Sequence, residues 1–222
     1  MKYKILKDEF IEFNGCTLYR IKALKDFPNV KAGELGGYIE SEQNLSQEDN
    51  AWVADNAWVS GNARVLGDAC VSGSAKVYGS ACVYGNAWVY GNAWVSGNAR
   101  VYDDAQVSGN AWVSGDAWVS GDARVYGDAQ VSGNAWVSGD AQLPNRHSVI
   151  WFSKVGRKNG TLTVYCSKNG LIATRGCFTG SVEEFLIKSA RVHDEKTKRE
   201  YELLIEVARS RLGEAQGNIA VE

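Results

Sequence analysis

Valine recurs every six residues from Val53 to Val137 without a gap, and Leu143 takes the next place. Alanine stands two positions before each, from Ala51 to Ala141, and Gly-Asn or Gly-Asp usually closes the phrase. Side chains alternate along an extended chain, so Ala and Val share one face and the residue between them takes the other. The apolar constants therefore face a core. The variable residue, often tryptophan, faces out.

Two architectures fit a period of six. An antiparallel meander with Gly-Asn hairpin turns would need about sixteen four-residue strands in one open sheet, beyond the usual range. In a triangular coil each hexad is one side, and three hexads make an 18-residue turn. Val and Ala then fill a narrow interior, while Gly and Asn tolerate the left-handed backbone of a sharp corner. The coil is the reading adopted. Sixteen hexads give a little over five coils, a prism roughly 25 Å long.

Such a prism needs caps at both ends, because its end coils expose strand edges. Residues 1–35 read as an N-terminal β cap, with a hairpin turning at Asn14-Gly15. "GGYIESEQNL" starts the coil through Ile39 and Leu45, and two extra residues before Val53 make one small bulge. The coil spans 36–147. Residues 148–222 read as a small α+β domain of three strands and two helices. Its strands are "VIWFSKV", "TLTVYC" and "GLIAT". "GCFTGSVEEFLIKSA" opens the first helix, with Ser181 and Glu184 in capping-box spacing. The second helix runs from about Glu195 to Leu212 on a stripe of Tyr201, Leu204, Ile205, Ala208 and Leu212, and Gly213 is expected to stop it.

Stepping 18 residues sorts the hexads onto three faces. The first stacks Trp58, Lys76, Trp94, Trp112 and Gln130. The second stacks Arg64, Cys82, Arg100, Trp118 and Trp136, with Leu66, Tyr84 and Tyr102 alongside. The third carries Trp52, Cys70, Trp88, Gln106 and Arg124, flanked by Tyr90 and Tyr126. Neighbouring rungs can stack ring on ring or Arg on ring. Such ladders would stiffen the coil, yet they also leave a large aromatic surface of the kind that marks interfaces. The candidate interface residues are Trp58, Trp94, Trp112, Trp118, Trp136, Arg100, Tyr84, Tyr102, Trp88 and Tyr90.

The pattern offers little to catalysis. The hexads hold no histidine; His147 lies just past the last of them and His193 between the helices. The corner glycines belong to the repeat, not to a phosphate loop. Asp104, Asp122 and Asp140 fall on one edge and read as solvated corners. Five scattered cysteines without a C-x-x-C pair point away from zinc and toward a reducing interior. No cofactor or metal is expected. The formal net charge is -2, and the repeat from Asn50 to Leu143 carries eight Asp against four Arg and Lys, so no basic face invites nucleic acid. "MKYKILKDEF" is too short and charged for a signal peptide, and no apolar run reaches membrane-spanning length. The expectation is a soluble, cytoplasmic protein.

"NARVYDDAQVSGNAWVSGDA" (98–117) and "DARVYGDAQVSGNAWVSGDA" (122–141) match almost letter for letter at an offset of 24 residues, four hexads. A coil takes three. Copied side chains therefore land on different faces, which suits interchangeable units better than a site of fixed geometry.

The hexads resemble the transferase-hexapeptide, left-handed β-helix superfamily over roughly residues 36–143. "DFPNVKAGELGGYIESEQNLSQEDNAWV" (26–53) is similar to a lead-in of uncharacterised bacterial and bacteriophage β-helix proteins. "GCFTGSVEEFLIKSARVHDEKTKREYELLIEVARSRL" resembles a C-terminal module of phage-encoded proteins of this type. The resemblance implies a left-handed coil, a phage or prophage origin in a bacterial cytoplasm, and a homo-oligomer, with a trimer favoured. The leading functional expectation is a non-catalytic oligomeric scaffold that binds a host protein or a planar small molecule. The alternatives are a phage inhibitor that neutralises a host defence factor and an acyltransferase-like enzyme. Superfamily acyltransferases place their histidine on the coil, and the hexads here have none.

Overall fold

The computed structural model describes residues 1–219. The hexads stack as a parallel β-solenoid in which each residue pairs with the one 18 positions on, as Trp88 with Gln106 and Val89 with Val107. Backbone hydrogen bonds tie coil to coil: Trp88 N–H donates to Ala105 O at 2.9 Å and Asn92 N–H to Gly109 O at 2.8 Å. Every Val of the repeat is fully buried and every Ala at most 1 % exposed, so the interior is the Ala-Val column. Ile39 pairs with Val59 and Leu45 bridges Val65, both at an offset of 20, which places the two-residue bulge between Leu45 and Val53. With this lead-in the solenoid reaches about six coils.

The corners explain the glycines. Gly97 has φ +68, and a Cβ there would meet Gly115 O of the next coil at 2.8 Å, so conformation and stacking both disfavour a side chain. Asp55 and Asp103 take the same left-handed conformation, each at φ 56. Each carboxylate accepts from the glycine N–H one coil on, Gly73 at 2.9 Å and Gly121 at 3.2 Å. Corner Asn side chains do similar work: Asn98 Nδ2 donates to Asp116 Oδ1 at 2.8 Å and Asn86 Nδ2 to Asp104 Oδ1 at 2.9 Å.

At the N-terminal end the strands Tyr3–Phe13 and Cys16–Ala23 form the expected hairpin, with positive φ at Asn14 and Gly15. The strand Leu35–Ile39 pairs antiparallel with the hairpin and parallel with Trp58–Val59, so hairpin and first face share one eight-stranded sheet. A Cβ on Gly37 would run into Ala57 O, which is why this strand can lie against the first coil. The carbonyls facing this end are met by side chains. Lys2 Nζ donates to Asp49 O at 2.9 Å and Ala51 O at 2.6 Å, Tyr3 OH to Leu45 O at 2.8 Å, and Asn44 Nδ2 to Gly61 O and Ala63 O, both at 2.9 Å.

At the other end a four-stranded antiparallel sheet, Val149–Val155, Gly160–Ser167, Gly170–Arg175 and Phe178–Ser181, lies across the last coil. Trp136 N–H donates to Thr163 Oγ1 at 3.0 Å, and Thr174 Oγ1 donates to Trp136 O at 2.6 Å. Tyr165 OH accepts from Ser138 N–H at 3.2 Å and donates to Ser138 O at 3.1 Å. Tyr165 and Val149 join the coil's core, while Leu162, Val164 and Cys166 join a second core with the helices.

Two expectations for this region need correction. The sheet has four strands, not three: Phe178–Ser181 pairs with Ile172–Arg175 through a tight turn at Gly176-Cys177, and Ser181 both ends that strand and caps α1 (Val182–Val192). The capping box itself is present, with Glu184 N–H donating to Ser181 Oγ at 3.1 Å. The helix α2 (Glu195–Ile219) runs through Gly213. Glycine costs a helix about 1 kcal/mol but does not end it. The buried stripe is otherwise the expected one, with Leu204 only partly covered.

The N-terminal cap carries a testable charge. Lys2 is 1 % exposed, and burial pulls its ammonium down to about 8 against the opposing field of Asp49. Below pH 8 both folded and unfolded states are charged, and the burial cost is fully present. As pH rises from 8 toward the ordinary value of 10.5 the folded state releases its proton first, so this group's contribution becomes more stabilising. Burial pushes the Cys70, Cys82 and Cys166 thiols up, so they act in the opposite direction above about pH 9. The difference between the native chain and Lys2→Met isolates the lysine. Urea unfolding is expected to show the native chain gaining about 2 kcal/mol on the variant between about pH 7 and pH 9.5; an unchanged difference would remove Lys2 as the charged cap.

Candidate interaction surface

The three faces form as the 18-residue step dictates, but their rings have unequal surroundings. On the first face Phe13, from the tip of the hairpin, lies 4.7 Å from the Trp58 ring and leaves Trp58 only 5 % exposed. Tyr78 bridges upward, 5.9 Å from Trp58 and 6.2 Å from Trp94. Trp94 then stacks on Trp112 at 5.0 Å and 10°. Lys76 Nζ sits over this run, 4.4 Å from the Trp94 ring and 5.2 Å from Phe13. The ladder ends at Trp112, 46 % exposed.

The second face is a closed network. Tyr84 and Tyr102 stack at 5.0 Å and 2°, Tyr102 meets Trp118 edge-on at 6.3 Å, and Trp118 leans on Trp136 at 5.7 Å. The Arg100 guanidinium lies 4.8 Å over Trp118. Burial raises the Tyr84 hydroxyl, with Tyr102 and Cys82 adding to it. These rings are half-buried by one another, and the sheet over the last coil meets the Trp136 backbone. The third face is different. Trp52 is buried beneath Phe27 and Tyr3, whereas Trp88 is 53 % and Tyr90 37 % exposed. Among the described residues no ring or cation packs on either of them.

The ten sequence-derived candidates thus fall on three separate surfaces. Trp58, Trp94 and Trp112 share the first, and Trp118, Trp136, Arg100, Tyr84 and Tyr102 the second. Trp88 and Tyr90 are alone on the third. Trp58 faces outward as expected but lies beneath the cap, so it offers no open surface. Sequence reasoning missed Phe13 and Tyr78. Tyr78 stands two residues after Lys76, as Tyr84 does after Cys82, and that spacing was the available signal. Phe13 comes from outside the repeat and had none.

A second apolar surface lies on the C-terminal module. Leu203 and Val207 are 44 % and 45 % exposed on the outer side of α2, in a shallow depression shared with Glu206, Ser210 and Arg211. Among the described residues no three His, Cys, Asp or Glu side chains are grouped to hold a metal ion, and no helix is long and apolar enough to cross a membrane. His193 Nδ1 lies 3.2 Å from the Ser189 hydroxyl, but Ser189 is 3 % exposed at the helix seam.

Four segments of the coil, residues 81–97, 105–121, 119–132 and 129–143, match the family described as YdcK Beta solenoid repeat. No curated protein matches the chain. The match falls on the stacked rungs and supports a β-solenoid repeat protein.

The contrast between supported and free rings gives a stability test. Trp94→Ala removes a stacked ring, an edge contact and a cation contact, and is expected to cost about 2–4 kcal/mol. Trp88→Ser removes an exposed ring that has no ring or cation partner among the described residues, and should cost under about 0.5 kcal/mol. Circular-dichroism melts of both variants check this, and equal losses would contradict the assignment.

Proposed function

We propose that this protein is a non-catalytic, rigid scaffold that self-associates through an outward aromatic face and presents its C-terminal module to a partner. The observation that carries the reading is the exposure of the Trp88 and Tyr90 rings together with the open end of the Trp94–Trp112 stack. Large exposed rings on a rigid, flat surface are poorly placed for water and well placed for a protein interface. A coil tied by a hydrogen-bond ladder loses little conformational freedom when such a face is covered. The exposed Leu203 and Val207 give the C-terminal module an apolar surface of its own.

The hexad period and left-handed corner residues support a left-handed coil. The likeness of residues 26–53 and of the C-terminal segment to phage-encoded proteins supports a phage origin and a site of action in the bacterial cytoplasm. Light scattering on the full chain is expected to give a multiple of the protomer mass, and Trp88→Ser/Trp112→Ser/Trp118→Ser to give the protomer. A triple variant with unchanged mass would overturn the aromatic-face reading. Calorimetry with acetyl-CoA is expected to show no heat; saturable heat would favour acyl transfer instead.

A further inference from the structure

The outward side chains of the third face alternate in size from rung to rung. Cys70 and Ser72 make a low second rung, and Trp88 and Tyr90 a high third. Gln106 and Ser108 make a lower fourth rung, and Arg124 and Tyr126 a high fifth. The other faces lack this alternation: Trp94 and Trp112 occupy consecutive rungs of the first, and Tyr84 and Tyr102 consecutive rungs of the second. The first rung is covered by Phe27 over Trp52, and Gln142 of the sixth is buried.

We propose that two copies of this chain pack third face to third face, antiparallel, about a dyad lying between the rungs of Trp88 and Gln106. The proposal rests on the self-association reading above and names its partner and geometry. An in-plane dyad across the coil axis sets rung three against rung four and rung two against rung five. Trp88 of each copy then sits over Gln106 of the other, and Tyr90 over Ser108. Arg124 sits over Cys70, whose rung begins at the exposed corner residue Asp68. Knobs meet hollows, and a guanidinium meets a carboxylate. A parallel seam along this face, two-fold or three-fold, brings equal rungs together. It crowds Trp88 and Tyr90 and leaves the low rungs apart. An isologous contact of this kind closes on itself and stops at two copies.

The area sets the strength. Four rungs at about 4.8 Å and a face about 15 Å wide give roughly 300 Å² of flat area per copy, below the roughly 800 Å² per partner of a standard interface. The dimer is therefore reversible and concentration-dependent.

Sedimentation velocity on the full chain from about 5 µM to about 500 µM is expected to show a monomer–dimer equilibrium. Trp88→Ser and Gln106→Trp should each weaken it at least about ten-fold, and Arg124→Asp by a similar factor. Adding Asp68→Arg to Arg124→Asp should recover most of the loss. Asp68 and Arg124 of one chain lie three rungs apart, so recovery reports a contact between copies. A trimer, an unchanged dimer in Trp88→Ser, or no recovery in the charge-swapped chain would overturn the dyad. Association that survives all of these variants but is lost in Trp112→Ser or Trp118→Ser removes the dyad and keeps the self-association reading. A chain that stays monomeric throughout overturns both.

Discussion

The structure depends on one hydrogen-bonded step: the N–H of each outward residue reaches the carbonyl of the alanine 17 positions on. That step is possible only while every coil contains the same number of residues and every interior position is small enough to sit directly above its equivalent. Ala and Val meet the second condition with no large side chain anywhere in the repeated interior. Glycine at most corners meets the first, because a Cβ at a position such as Gly97 would strike the backbone of the next coil, and Asp55 and Asp103 fill the two corners that carry a side chain. A two-residue excess is accommodated once, between Leu45 and Val53, where the lead-in meets the first regular coil.

A ladder of this kind leaves unpaired backbone groups at both ends, and such groups are costly when buried. The two caps solve this differently. The N-terminal segment brings an ammonium, a phenol and a carboxamide to the open carbonyls, at the expense of burying a lysine whose proton is weakened. The C-terminal sheet uses hydroxyls of Thr163, Tyr165 and Thr174, which donate and accept and so fit an edge exposing both kinds of group. The same sheet carries its second core on its far side, making the closure of the coil and the docking of the helices one unit.

The solenoid, its three faces and the rung partners of each tryptophan were legible in the sequence, because a strict period fixes register by counting. The hairpin at Asn14-Gly15 and the Ser181–Glu184 capping box were legible for a similar reason, since local chemistry decides them. What sequence did not disclose depends on contacts between distant segments. Trp52 and Trp58 carry the same signature as Trp88, yet Phe27 and Phe13 cover the first two, and among the described residues no ring covers the third. The strand Phe178–Ser181 was hidden by the helix cap it runs into. Gly213 was given the weight of a stop signal although nothing in its surroundings requires a left-handed residue.

The hexad also acts as an angular unit. One hexad is a third of a turn, and the near-copy of residues 98–117 at 122–141 shows that the chain tolerates shifts of four. Gain or loss of a single hexad leaves the Ala-Val interior unbroken but turns everything beyond it by one face. The C-terminal module, tied to the last coil through Trp136 and Ser138, would then point along a different side of the prism from the N-terminal hairpin. Gain or loss of three keeps the orientation and changes only the separation, by one rung. Bearing and reach of the two ends are therefore separately adjustable by counting hexads, with no change to any residue of the core.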